Sequence, residues 1–267
     1  MGMRHFWLGL AILSLSCHSL AIWAPPGNPD EAERLWDQGQ AAMKRGEPDE
    51  AIAFYERSLF ADPKLLRNHL SLAAAYLEKG DDAASCEHLT KYVAAHPEHA
   101  VMRAHLAELL LRLHRSAEAR AEFERFIADV QDDQPLAARH LVHCHSRLME
   151  IAEEDQDEYA EHLHRGIGLY LLACRRADVA DPDGELCPES LLCKAAGELN
   201  LACLERPEEA RPSWYLYGVW SKLGQQQPAL RCLRAADDAR PFTYLTPAEK
   251  RDLRLACHCR ELARPVK

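Results

Sequence analysis

The feature that most constrains this chain is a spacing of 34 residues. Gly39, Ala73 and Ala107 are separated by 34, as are Ala51, Ser85 and Ala119, and again Tyr55, Leu89 and Phe123; Gly46 pairs with Gly80 and Pro63 with Pro97 at the same interval. Self-similarity at one fixed period marks an array of stacked units, each too small to bury its own apolar face. Within a unit the apolar residues recur at three and four, as in Leu35/Gly39/Ala42 and Ala51/Tyr55/Leu59. That is the helical period, so each unit reads as two helices. Gly46 and Gly80 stand where the first helix must turn, because glycine enters the left-handed region without steric cost. Pro63 and Pro97 stop the second helix. Small residues at 39, 73 and 107 suit a crossing where two backbones approach, with a large side chain filling the gap.

This pattern resembles the tetratricopeptide repeat, whose signature runs W-x2-L-G-x2-Y, then A-x3-F, then P. Residues 32–65 match it through Gly39, Ala51, Tyr55 and Pro63, residues 66–99 through Leu72, Ala73, Tyr76 and Pro97, and residues 100–133 through Leu106, Ala107, Ala119 and Phe123. Trp214-x2-Tyr217-Gly218, Ala229-x3-Leu233 and Pro241 fit a further copy if the turn at Gly224 is one residue shorter. The resemblance implies an all-α fold, a right-handed α-solenoid of antiparallel helix pairs. It divides the chain into three tandem units at 32–133, diverged helical repeats at 134–210, a repeat-like unit at 211–244, and a capping helix with its tail at 245–267. Helices are expected over 136–153, 157–179 and 188–204, and over 247–263 behind Thr246 as N-cap. No segment reads as a strand.

The resemblance also implies a function, a non-catalytic scaffold that binds a peptide or protein segment along the concave face lined by the first helix of each pair. Carried onto this sequence, that face gives Trp36, Gln40 and Met43 from the first unit, Arg67, Leu70, Ala74 and Leu77 from the second, and Glu108 and Leu111 from the third. The carboxylate clamp of chaperone-adaptor repeats needs Lys and Asn in the first unit, Asn in the second, and Lys and Arg in the third. Here the matching positions hold Trp36 and Gln40, Ala74, and Val101 and His105, so binding of a chaperone tail by that mode is not inherited.

The charge balance supports a protein partner. With 32 Lys+Arg against 42 Asp+Glu the net charge is -10, which disfavours a phosphate-tracking nucleic-acid binder. No G-x-S-x-G, phosphate loop, dinucleotide fingerprint or H-E-x-x-H is present, and no cofactor is expected. The rival reading is a metal- or thiol-dependent module or enzyme built in the middle of the chain, where His140, His143, Cys144, His145, His162 and His164 crowd together. His143 and His145 are two apart on a helix and face different sides, which argues against a shared ion. Asp181 to Glu185 hints at a calcium loop, but its ligand positions fail at Val179 and Ser190. Of the ten cysteines, Cys86, Cys144, Cys174, Cys203 and Cys232 fall among helical Ala and Leu as small core residues. Cys187, Cys193, Cys257 and Cys259 are the candidates for bridges or a metal.

The amino terminus reads as an export signal at 1–21, followed by a linker at 22–31. Arg4 and His5 precede a dozen mostly apolar residues from Phe6 to Cys17. Three outcomes fit the pattern: cleavage after Ala21, lipidation of Cys17 in a lipobox-like Leu13-Ser14-Leu15-Ser16-Cys17, or an uncleaved anchor over 6–24. Each places a bacterial protein in the periplasm or tethered to a membrane.

Overall fold

The computed structural model describes residues 28–130, 139–176 and 187–262. Twelve α-helices run through them, with no strand among the described residues. They are α1 (Pro29–Arg45), α2 (Pro48–Ala61), α3 (Arg67–Lys79), α4 (Asp82–Ala95), α5 (Ala100–Arg112), α6 (Ser116–Asp129), α7 (Leu141–Glu154), α8 (Glu158–Arg176), α9 (Pro188–Glu205), α10 (Ala210–Lys222), α11 (Gln226–Ala239) and α12 (Pro247–Leu262). Consecutive helices pack as antiparallel hairpins and each hairpin stacks on the next, giving a right-handed α-solenoid closed by α12. The expected export segment, Cys17 and the Asp181 to Glu185 turn lie outside the described residues. No helix among the described residues is long and apolar enough to cross a membrane.

The turn between the two helices of a pair is built the same way throughout. Gly46, Gly80, His114, Gln156 and Gly224 all have positive φ, between 56° and 82°. In each case the amide of that residue bonds back three residues, and the next amide bonds back five, as in Gly46 N to Met43 O and Glu47 N to Ala42 O. Gly46, Gly80 and His114 are spaced by 34, so a histidine occupies the third glycine position. From Gln156 to Gly224 is 68 residues, two periods, and the described residues of that stretch carry α8, α9 and α10, where the 68 residues from Gly46 to His114 carry four helices. Helix α8 has 19 residues and α9 has 18, against 13 or 14 in α3 to α6. Lengthening these two helices shifts the positions within them off the 34-residue register, which is why the repeat pattern is lost across them. Of the helix expected over 136–153, residues 136–138 lie outside the described residues, Arg139 and His140 form a turn, and the rest falls in α7.

Close packing explains the small residues. A Cβ on Gly39 would lie 2.4 Å from the Tyr55 ring, and one on Gly218 would lie 2.7 Å from the Tyr170 hydroxyl. One apolar cluster spans α1 to α3 around Tyr55 and Leu72, and a second runs from α3 to α7 around Phe123, Phe126 and Leu148. A third joins α8, α9 and α10 through Ile167 and Leu199, and a fourth joins α10 to α12 through Leu233 and Leu253. Buried polar links run between these helices. Ser58 Oγ donates to Ala32 O at 2.6 Å and accepts from Asn68 Nδ2 at 2.8 Å, tying α1, α2 and α3 together.

Position pairs 19 residues apart face each other across a hairpin and are filled differently in each unit. His69 and His88 meet this way in the second unit with ring nitrogens 3.0 Å apart, and Arg103 and Glu122 in the third as a 3.0 Å ion pair, where the first unit has Leu35 and Phe54 at the matching sequence positions. His145 and His164 bridge α7 and α8 with the same separation, Nδ1 to Nδ1 at 3.0 Å.

The closing helix has a reciprocal cap. Glu249 N donates to Thr246 Oγ1 at 3.2 Å, and Thr246 N donates to the Glu249 carboxylate at 2.8 Å. The same buried carboxylate accepts from Arg211 Nε at 2.8 Å and from the Tyr215 hydroxyl at 2.9 Å, so the capping residue also fastens α12 to α10.

Candidate functional site

A groove of about 290 Å³ opens between the first helices of the second and third units. Leu70, Ala73, Ala74 and Leu77 of α3 form one wall, and Met102, His105, Glu108, Leu109 and Arg112 of α5 form the other, over Ser85 and Leu89 of α4. The α3 positions recur at three and four, which puts them on one stripe of the helix. Leu77 is 43% exposed at the mouth, while Ala73, Leu89 and Leu109 are buried beneath. Ser85 Oγ donates to Ala73 O at 2.8 Å, so the one hydroxyl in the floor is already satisfied and the floor behaves as apolar.

Polar groups gather on the α5 side. Glu108 Oε1 lies 2.7 Å from His143 Nε2 and accepts from Arg147 Nε at 3.0 Å, and Arg147 also donates to Glu150 at 2.8 Å. Arg112 pairs with Asp82 at the far end. Desolvation of the His105 ring, and then the neighbouring His140, lower its pKa below that of a free imidazole, so it lines the groove uncharged at neutral pH. The result is an apolar slot with a charged ladder running from its edge onto α7.

The nine residues expected along the binding face separate into groups. Leu70, Ala74, Leu77 and Glu108 line this groove. Trp36, Gln40 and Arg67 instead form the seam between α1 and α3. Trp36 Nε1 donates to Ser71 Oγ at 2.9 Å, Gln40 Nε2 donates to the same oxygen at 3.3 Å, and the Arg67 guanidinium lies 4.0 Å from the Trp36 ring centre while pairing with Glu33. Met43 packs against the first apolar cluster and Leu111 against the second. Met102, Leu109 and Arg112 were not among the expected residues. The signal that finds them is the helical register: 102, 105, 109 and 112 form one stripe of α5, one step round from the stripe carrying Leu111.

The histidines of the middle region have separate partners. His145 and His164 bond to each other inside the fold, His143 meets Glu108, His162 lies 2.8 Å from Glu198, and His140 meets the rings of His105 and Phe126. Cys144 is fully buried, and desolvation pushes its thiol up to about 12. Burial also raises Cys86, Cys203 and Cys232, so these thiols stay protonated core groups. No disulfide joins cysteines among the described residues.

Comparison with known proteins gives the following. The family model for the tetratricopeptide repeat matches residues 32–65. Superkiller complex protein 3 of Homo sapiens is 26% identical over 193 residues, which is 71% of this chain but 11% of that protein. The chain thus spans about a tenth of the curated relative it matches. Among solved structures, the first such repeat domain of Spaghetti (RPAP3), bound to an HSP90 peptide, is 20% identical with a TM-score of 0.39, covering 48% of this chain and 95% of that one. PilF of Pseudomonas aeruginosa is 15% identical with a TM-score of 0.40, covering 85% and 98%. YrrB, described as having an unusual peptide-binding site, is 15% identical with a TM-score of 0.36, covering 80% and 89%.

Proposed function

We propose that this chain, a tetratricopeptide-repeat protein, works as a non-catalytic interaction scaffold that captures a protein segment in the groove between α3 and α5. The observation that carries this is the exposed Leu77 beside Leu70, Ala74 and Met102, an apolar slot bordered by a charged ladder. Its volume of about 290 Å³ stands at the lower edge of the roughly 300–1,000 Å³ of ligand pockets and has room for one anchoring apolar side chain of a longer segment. An apolar anchor fills the slot, and Glu108, His143 and Arg147 bond the polar flank of the same segment, fixing its direction.

Selection of displayed peptides on the full chain tests the reading. Enriched peptides are expected to share an apolar anchor and to lose at least about tenfold in affinity, about 1.4 kcal/mol, to Leu77→Glu. Phe60→Glu, at an 83% exposed position on α2, should leave their binding unchanged. Equal binding by both variants contradicts the groove.

The basic start and apolar run before Cys17 support export as a second proposal, with the solenoid facing the periplasm or tethered there. Mass spectrometry of the mature protein should find it beginning at Cys17 or Ile22, or intact in a membrane fraction. An intact Met1 in a soluble cytoplasmic fraction contradicts it.

A further inference from the structure

The turn joining α4 to α5 carries the sequence His96-Pro97-Glu98-His99. Pro97 is the repeat proline that ends a second helix, and His99 N donates to His96 O at 3.1 Å, which closes the turn. The equivalent turn one unit earlier has the same proline and the same bond, Leu65 N to Asp62 O at 3.1 Å, but reads Asp62-Pro63-Lys64-Leu65. The backbone is therefore the repeat's own, and the two imidazoles and the carboxylate belong to this turn in particular.

Those three side chains converge. His96 Nδ1 is 3.0 Å from Glu98 Oε1, His99 Nε2 is 3.8 Å from the same oxygen, and the three groups' ligand atoms all lie within 4.8 Å of one another. Ligands about 2.1 Å from a tetrahedral ion stand about 3.4 Å apart, so the two edges to Glu98 bracket the spacing a bound ion requires. The rings are held in place. His96 and His99 stack with centroids 5.1 Å apart and planes 13° from parallel, and the Tyr92 ring lies 4.8 Å and 5.7 Å from them. The Tyr92 hydroxyl, on a residue only 6% exposed, sits 2.7 Å from His99 Nδ1. With Nε2 turned to an ion, Nδ1 carries the hydrogen and donates it to that oxygen, the arrangement that orients a ligating histidine.

We propose that His96, Glu98 and His99 form a binding site for a divalent transition-metal ion of the zinc class. Two nitrogen donors select such an ion over magnesium or calcium, which take oxygen ligands. Side-chain exposures of 30%, 62% and 48% leave the remaining coordination position open to water or to a donor from a bound partner. The ion ties the residue ending α4 to the N-cap of α5, one turn before Met102, and so clamps the second unit to the third beside the groove. This site does not depend on the groove being the binding surface.

The test is titration of the purified, reduced full chain with Co2+, read by absorption and by equilibrium dialysis, followed by Zn2+ displacement. One equivalent should bind without a sulfur-to-metal charge-transfer band. His96→Gln and His99→Gln should abolish stoichiometric binding, Glu98→Gln should weaken it at least about tenfold, and Tyr92→Phe should weaken it about 10–100-fold while keeping the ring. Cys193→Ser and Cys259→Ser should leave it unchanged. Binding that survives both histidine substitutions, or that shows thiolate bands and disappears with the cysteine substitutions, overturns the proposal. All three ligand positions are at the surface, and unchanged far-ultraviolet circular dichroism confirms that loss of binding is not loss of fold.

Discussion

Lowering the pH from 7 to 5 should destabilise this solenoid chiefly through one buried pair. His145 is 1% exposed and His164 is 7% exposed, and their Nδ1 atoms share one hydrogen bond across α7 and α8. Desolvation, reinforced by Arg211 and Arg120, pushes His164 down to about 3. Desolvation, His164 and Arg211 hold His145 well below its ordinary value. Both stay neutral in the folded protein at pH 5, whereas in the unfolded chain each takes up a proton near pH 6.5. The unfolded state thus binds more protons, and stability falls as the pH drops below about 6.5 and continues to fall towards the folded values. At pH 5 each proton taken up only on unfolding costs about 2 kcal/mol, hence about 4 kcal/mol for the pair. Domains are stable by only about 5–15 kcal/mol, so the loss is large. Urea unfolding followed by circular dichroism at pH 7, 6 and 5 measures it. The double variant His145→Gln/His164→Gln keeps a polar pair that does not titrate, and its acid loss should be smaller by about 4 kcal/mol. Other histidines are common to both proteins and cancel. An identical acid loss in the two would refute the burial argument.

Two further predictions rest on backbone and packing. Gly39→Ala puts a methyl 2.4 Å from the Tyr55 ring and should cost about 1–3 kcal/mol in urea unfolding, with the loss reduced in a Tyr55→Leu background. His114→Gly replaces a residue held at φ 56° and should stabilise the third unit by up to about 1 kcal/mol, offset in part by the greater freedom of glycine when unfolded; a destabilised variant would mean the imidazole does something the turn does not require.

Much of the fold was legible because its determinants are local and repeated. Gly39, Ala73 and Ala107 sit where helices cross, and Gly46 and Gly80 sit where left-handed backbone is required, so the period alone marks both. Where histidine and glutamine took the turn position, at 114 and 156, the glycine signal vanished although the geometry did not. The region after 134 was opaque for another reason. Two lengthened helices preserve amphipathic stripes but destroy register, and pairing depends on register. The candidate groove was half legible. Leu70, Ala74 and Leu77 share one helical stripe of α3, but Trp36 and Arg67, expected on the same binding face, engage each other, Ser71 and Glu33 instead. The histidine pairs show the same limit, since a residue 19 positions away is invisible as a partner until the hairpin closes.

The central claim, that a partner segment seats an apolar side chain between α3 and α5, is tested most directly by placing a photo-crosslinking residue at Leu77, at Met102 and, as a control, at Phe60 in the full chain in its native cell. One shared partner should crosslink from 77 and 102, at the same segment of that partner, and not from 60. Crosslinking from 60 alone, or equally from all three positions, would contradict it.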